Sequence, residues 1–265
     1  MTPKTSPPPL QPEWFSLSYC LGFMFRKKRI LGWSILLFLA TIGLTTAGYQ
    51  LSIEHVDKIA GSFLMDPPSA ETIWGWIKFQ GWKAGKILFF IITRIMAFYL
   101  AFLVAYCLTS PGYVFLSTAA EKLHAGNDFN SDDSFSIMGM LVDVLEGVKI
   151  ALFGVLVTIV ALMVNFIPGL GQGVVFLLYA FYSALMFIDY PSSRRRWSLG
   201  RKIGWLREHG GTALRIGLLP AFISMIPLLN VFLMSLLFPL LTIYSTLNFS
   251  AIELFNERSV ARRTR

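Results

Sequence analysis

The chain has 265 residues, a net charge of +8 and a mean hydropathy of +0.60, with 55% hydrophobic and only 14% charged residues. Soluble domains carry about 25% charged residues, so too little charge is present to cover a water-facing surface, and a soluble globular protein is excluded. The basic residues gather at the ends of apolar blocks rather than on a basic domain of their own, which also excludes a nucleic-acid-binding module.

Residues 1–12 are rich in Pro and Ser and have no apolar stretch directly behind Lys4, so they read as a disordered tail rather than a signal peptide. Residues 13–256 are expected to form one helical membrane domain. Trp14 to Phe25 is too short to span a bilayer and ends at Arg26-Lys27-Lys28-Arg29, as an interfacial helix does. Residues 30–51 are long and apolar enough for a first full span, given the roughly 20 helical residues that a hydrocarbon core requires. A polar stretch from Ser52 to Ala70 follows, broken by Pro67-Pro68. Glu71 to Lys86 then interleaves Trp74, Trp76 and Trp82 with Lys78, Lys83 and Lys86, the pattern of an interfacial belt. Residues 87–108 form the second full span, closed by Ser110-Pro111-Gly112. Tyr113 to Gly126 is amphipathic, and Asn127 to Asp133 is an acidic loop from which Asp133 or Ser134 can cap the next helix.

The second half carries an internal repeat. Residues 142–189 and 212–253 each read as an apolar helical hairpin, and the basic amphipathic stretch Ser193 to Gly210 separates them. At an offset of 59 residues Ile167-Pro168 matches Ile226-Pro227, Leu170 matches Leu229, and Leu177-Leu178 matches Leu236-Leu237. Proline ends an apolar helix by removing a hydrogen bond and clashing with the preceding turn, so Pro168, Gly169, Gly171, Pro227 and Asn230 are assigned to the hairpin turns. The arm Thr212 to Ile226 rises only about 22 Å at 1.5 Å per residue, short of a core roughly 30 Å thick. Each unit is therefore expected to penetrate the bilayer part way. Matched broken helices in two repeats also point to a transporter's substrate site. Residues 257–265 form a basic C-terminal tail. The fold expected is an all-α integral membrane protein with two full transmembrane helices, two hemi-penetrating hairpins and amphipathic interfacial helices. Strand-like alternation in pieces of about ten residues, as a transmembrane barrel needs, is absent.

Enzyme signatures are lacking: there is no Gly-x-Ser-x-Gly elbow, P-loop or His-Glu-x-x-His zinc motif, and no catalytic residue, metal or cofactor is expected. Cys20 and Cys107 lie in apolar stretches and read as small hydrophobes. Charge inside apolar sequence is the informative feature. Arg94 sits mid-span and requires a partner. It either completes an ion pair that fixes packing, with Asp143, Glu146, Asp189 or Glu253, or lines an anion path. Lys28 and Arg29 precede the first span, where basic side chains beside helix N-terminal amides suit an oxyanion; a topology anchor is the other reading. Glu121 and Asp189 are assigned to structural ion pairs.

Phe166-Ile167-Pro168-Gly169-Leu170-Gly171-Gln172, Asp189-Tyr190-Pro191 and Met225-Ile226-Pro227-Leu228-Leu229-Asn230 resemble the CysZ sulfate-permease family, with its YFIPGIGQ turn, CDYP helix end and MIPLLN turn. That family is related to the eukaryotic etoposide-induced membrane proteins. The match covers Val142 to Glu253, with a weaker likeness at Ala120-Glu121-Lys122-Leu123. The resemblance implies a homo-oligomeric, multi-pass protein of the bacterial inner membrane that takes up sulfate, or a similar oxyanion, for cysteine synthesis. Transport would be passive or ion-coupled, because no ATP site is present. The family's basic pair falls on Lys28 and Arg29, with Lys replacing the first Arg and Arg26-Lys27 replacing Gly-Ile. The eukaryotic relatives suggest the alternative of a non-transporting membrane scaffold.

Overall fold

The computed structural model describes residues 12–63, 67–126, 137–226 and 229–263. Among them are eight helices and no strand: α1 (Leu17–Arg26), α2 (Lys28–Phe63), α3 (Ile73–Ala125), α4 (Ile137–Asn165), α5 (Gly171–Ser193), α6 (Leu199–Glu208), α7 (Gly210–Ser224) and α8 (Leu229–Arg263). Segments in five of these, α2, α3, α4, α5 and α8, are long and apolar enough to cross a membrane, while α7 is apolar but shorter. The protein is thus an all-α membrane protein. The acidic loop with its Asp133 or Ser134 cap, the turn residue Pro227, and residues 1–11 of the N-terminal tail lie outside the described residues.

Three helices run longer than the sequence suggests. Helix α2 continues past Leu51 to Phe63, because no glycine or proline interrupts Ser52 to Ala60 and Glu54, Asp57 and Lys58 are ordinary helix residues. Helix α3 runs through Ser110-Pro111-Gly112, which therefore does not end the helix. One interior proline costs about 3 kcal/mol. Ending the helix within apolar surroundings would strand several backbone groups at several kcal/mol each, and is the worse choice. Helix α8 likewise extends to Arg263, so Arg258, Arg262 and Arg263 are helical.

The chain forms two compact units, Met1–Leu36 with Pro111–Arg265, and Leu37–Ser110. The larger unit is built around α5, which packs against α4, α7 and α8. Gly217 of α7 permits the closest approach: a Cβ there would fall on the carbonyl oxygen of Ala180 in α5. Phe238 of α8 meets Tyr113 and Phe187 at ring-centroid distances of 4.6 and 4.8 Å, filling the centre with aromatic area. Helix α1 is capped by Ser16, whose hydroxyl accepts from the Tyr19 amide. It docks on α8 through Asn248, which accepts from the Phe15 amide at 2.9 Å and donates to the Phe15 carbonyl at 3.1 Å.

The two hairpin turns share a register. Helices α4 and α7 end at Asn165 and Ser224, 59 residues apart, which is the offset of the sequence repeat. In the first turn Gly169 has φ +80, which favours glycine, and a Cβ on Gly171 would meet the Val164 carbonyl oxygen at 2.6 Å. Gln172 donates to the Asn165 side chain at 2.7 Å across that turn. In the second, Asn230 donates to the Ser224 carbonyl at 3.3 Å.

The smaller unit pairs α2 with α3. A Cβ on Gly48 would stand 3.2 Å from the Ala101 Cβ, the small-residue approach that membrane helices use. Tyr49 and Phe98 meet edge to face at 5.9 Å. Ile91, Leu100 and Leu103 stay exposed, which suits a lipid-facing surface.

Candidate functional site

The interior of the larger unit holds a run of buried polar side chains. Thr242, Ser245, Thr246, Asn248 and Ser250 of α8 are all fully buried, as is Ser117 of α3. A hydroxyl buried in such a core must find an acceptor. The Thr242 hydroxyl donates to the Phe238 carbonyl and that of Thr246 to the Thr242 carbonyl, while Ser245 reaches Phe187 of α5 at 3.0 Å. Ser117 and Thr246 join α3 to α8 through a 2.8 Å hydroxyl contact.

This stripe ends at a charged centre. Glu121 of α3, 2% exposed, is gripped by two guanidinium groups from the turn after α5. Arg194 donates through Nε to Glu121 Oε2 at 3.2 Å and lies 3.0 Å from Oε1 through Nη2. Arg195 Nη2 donates to Oε1 at 3.0 Å, and the Ser250 hydroxyl donates to the same oxygen at 3.2 Å. Arg195 Nη1 is buried with no hydrogen-bond partner. A buried guanidinium N–H without an acceptor is a cationic donor that favours an anion.

Local backbone holds this geometry. Arg196 adopts φ +50, a left-handed conformation rare for a residue with a side chain. It turns the chain so that Trp197 returns against Phe249 at 5.2 Å, while the Arg195 guanidinium lies 5.2 Å over the same ring. Beyond the turn, the fully buried Lys202 of α6 reaches Asp189 of α5 at 2.6 Å, and Ser193 donates to the same carboxylate. Glu146 of α4 accepts from the Leu199 amide at 2.8 Å at the start of α6. Glu253 accepts from the Trp205 indole at 2.9 Å.

The residues singled out in the sequence are therefore not all brought together. Lys28 and Arg29 occupy the first turn of α2 and are exposed, and none of the described carboxylates lies within ion-pair distance of them. Glu121 and Asp189 stand in the charged centre, each paired with a base. Pro168, Gly169, Gly171 and Asn230 sit at the hairpin turns. Arg94 belongs to the smaller unit, and its partner is corrected. It forms a two-pronged pair with Asp57 at 3.3 Å. Glu146, Asp189 and Glu253 are engaged as described above, and the Asp143 side chain lies outside the described residues. Asp57 escaped notice because the first helix was expected to stop at Leu51, six residues before it. In the sequence Arg194, Arg195 and Lys202 are only part of the basic amphipathic stretch between the hairpins. The signal that finds them is the need of Glu121 and Asp189, carboxylates within apolar sequence, for nearby bases. Among the described residues no cluster of His, Cys, Asp and Glu is placed to hold a metal ion.

Residues 16–235 match the family model described as sulfate transporter CysZ/etoposide-induced protein 2.4. The match takes in α1 to α7 and the start of α8, and with them Lys28, Arg29, Glu121, Arg194 and Arg195.

Proposed function

The chain belongs to the CysZ/etoposide-induced protein 2.4 family, and on that premise we propose that it is a permease for sulfate or a similar oxyanion, acting in the bacterial inner membrane as a homo-oligomer. The observation that carries this reading is the buried Arg195 Nη1, a cationic donor left unfilled beside Glu121. An entering oxyanion has a positive N–H donor to meet there, on a guanidinium that Glu121 already holds in place. Lys28 and Arg29, exposed at the head of α2, collect the anion from solvent. Arg94 serves chiefly to pair with Asp57 and hold α2 to α3. The 15 residues of α7 rise about 22 Å, so the second hairpin enters the bilayer part way and places its turn where an aqueous path can reach it.

Radiolabelled sulfate uptake into liposomes holding the purified chain tests the proposal. Arg195→Gln removes the unfilled cationic donor while Glu121 keeps Arg194 and Ser250, so the variant should fold and its sulfate affinity should drop roughly tenfold. Lys28→Gln with Arg29→Gln should act in the same direction. Arg94→Met combined with Asp57→Asn should leave uptake in place. Absence of uptake by the folded wild-type chain would replace the permease with the membrane-scaffold reading.

A further inference from the structure

A half-open cavity of about 420 Å³ lies in the larger unit, away from the charged centre. Its walls are Val157 of α4, Leu178 and Leu185 of α5 and Ile203 of α6, and its only charged lining residue is Arg207, in the last turn of α6. The volume falls in the range of small-molecule sites, roughly 300–1,000 Å³. Tyr182 also lines it and brings a hydroxyl. That ring reaches α4 where Gly154 makes room, since a Cβ on Gly154 would strike the hydroxyl.

Position and charge decide what fits. The outer face of α4 beside the cavity exposes Leu152, Val155 and Leu156, each more than half exposed, so the opening is reached from lipid rather than from water. Leu178 and Leu185 are seven residues apart, so the apolar wall runs about 10 Å along α5. Arg207 is exposed, and no described carboxylate pairs with it. Gly210 also lines the cavity and begins α7, whose N-cap His209 offers no side-chain cap to the first amides. A cation and free helix amides therefore meet at an apolar slot. The exposed charges of α6 are Arg201 and Arg207 against Glu208, a positive balance that suits an anionic membrane surface.

We infer that this cavity is a binding site for one anionic phospholipid, with an acyl chain between α4 and α5 and the headgroup phosphate on Arg207 and the first amides of α7. The site is independent of the permease reading, because none of its residues belongs to the Glu121 centre.

Native mass spectrometry of the full chain in detergent, titrated with palmitoyl-oleoyl phosphatidylglycerol or phosphatidylcholine, tests it. One phosphatidylglycerol should be retained at least roughly tenfold more tightly than phosphatidylcholine, and Arg207→Gln should erase that preference. Arg207 is exposed, so this variant keeps the fold. Leu178→Trp fills the slot and, where its melting curve shows it folded, should lose both lipids. Equal retention of the two lipids by the wild-type chain overturns the proposal, as does retention of phosphatidylglycerol unchanged in Arg207→Gln. Displacement of phosphatidylglycerol by millimolar inorganic phosphate would also overturn it, by showing a site for the free anion alone.

Discussion

Lys202 and Cys20 are both closed off from solvent. The lysine has Asp189 at 2.6 Å to balance its charge. The thiol remains neutral, and burial pushes its pKa from 9.0 up to about 12. Below pH 9 the folded and unfolded chains both keep the proton, so Cys20 has no pH-dependent effect. Between pH 9 and about 12 only the unfolded chain releases it, and stability falls across that window. Melting temperatures of the detergent-solubilised protein from pH 8 to pH 11 should therefore decline more steeply for the wild type than for Cys20→Ala. Equal slopes would mean that the thiol is not sealed. Single residues were the least legible scale in the sequence. Arg94 announced itself as a charge within a span, yet its partner Asp57 was hidden by the wrong end assigned to α2. Arg194 and Arg195 merge into a basic amphipathic stretch, because sequence alone cannot reveal that Glu121, 73 and 74 residues away, folds against them.

At the scale of helices, hydropathy told more. The two hairpins, the short α1, the basic α6 and the 15-residue α7 all lie where apolar runs and prolines place them. Proline misled only at Pro111 within α3, since a breaker in water is tolerated where no solvent accepts the freed backbone groups. Glycines separate packing from mere presence. Gly217 sits in the interface of α7 with α5, and Gly204 in α6 has nothing within 4 Å of an added Cβ. Gly217→Ala should destabilise by about 1–3 kcal/mol, because the obstacle is backbone and cannot step aside. Gly204→Ala should be neutral or stabilising by a few tenths to about 1 kcal/mol, through helix propensity. Paired thermal melts of the two variants check this, and a stable Gly217→Ala would show that α5 and α7 are not in intimate contact.

For the whole molecule, the clamp of Asn248 on the Phe15 backbone joins residues 233 positions apart. Trp14 meets Tyr244 of the same helix edge to face at 5.8 Å, so the N-terminal end leans on α8 by packing as well as by hydrogen bonds. During synthesis the first helix leaves the ribosome long before its dock exists. Helix α1 must then wait at the membrane surface while every later segment inserts, and the fold closes only once α8 is made. Docking of α1 thus waits for the synthesis of α8, and a product stalled before Asn248 carries an undocked amphipathic helix. A chain ending before Asn248 should expose Cys20 to maleimide, whereas the complete protein should shield it; equal labelling of the two would show that α1 folds down without its partner.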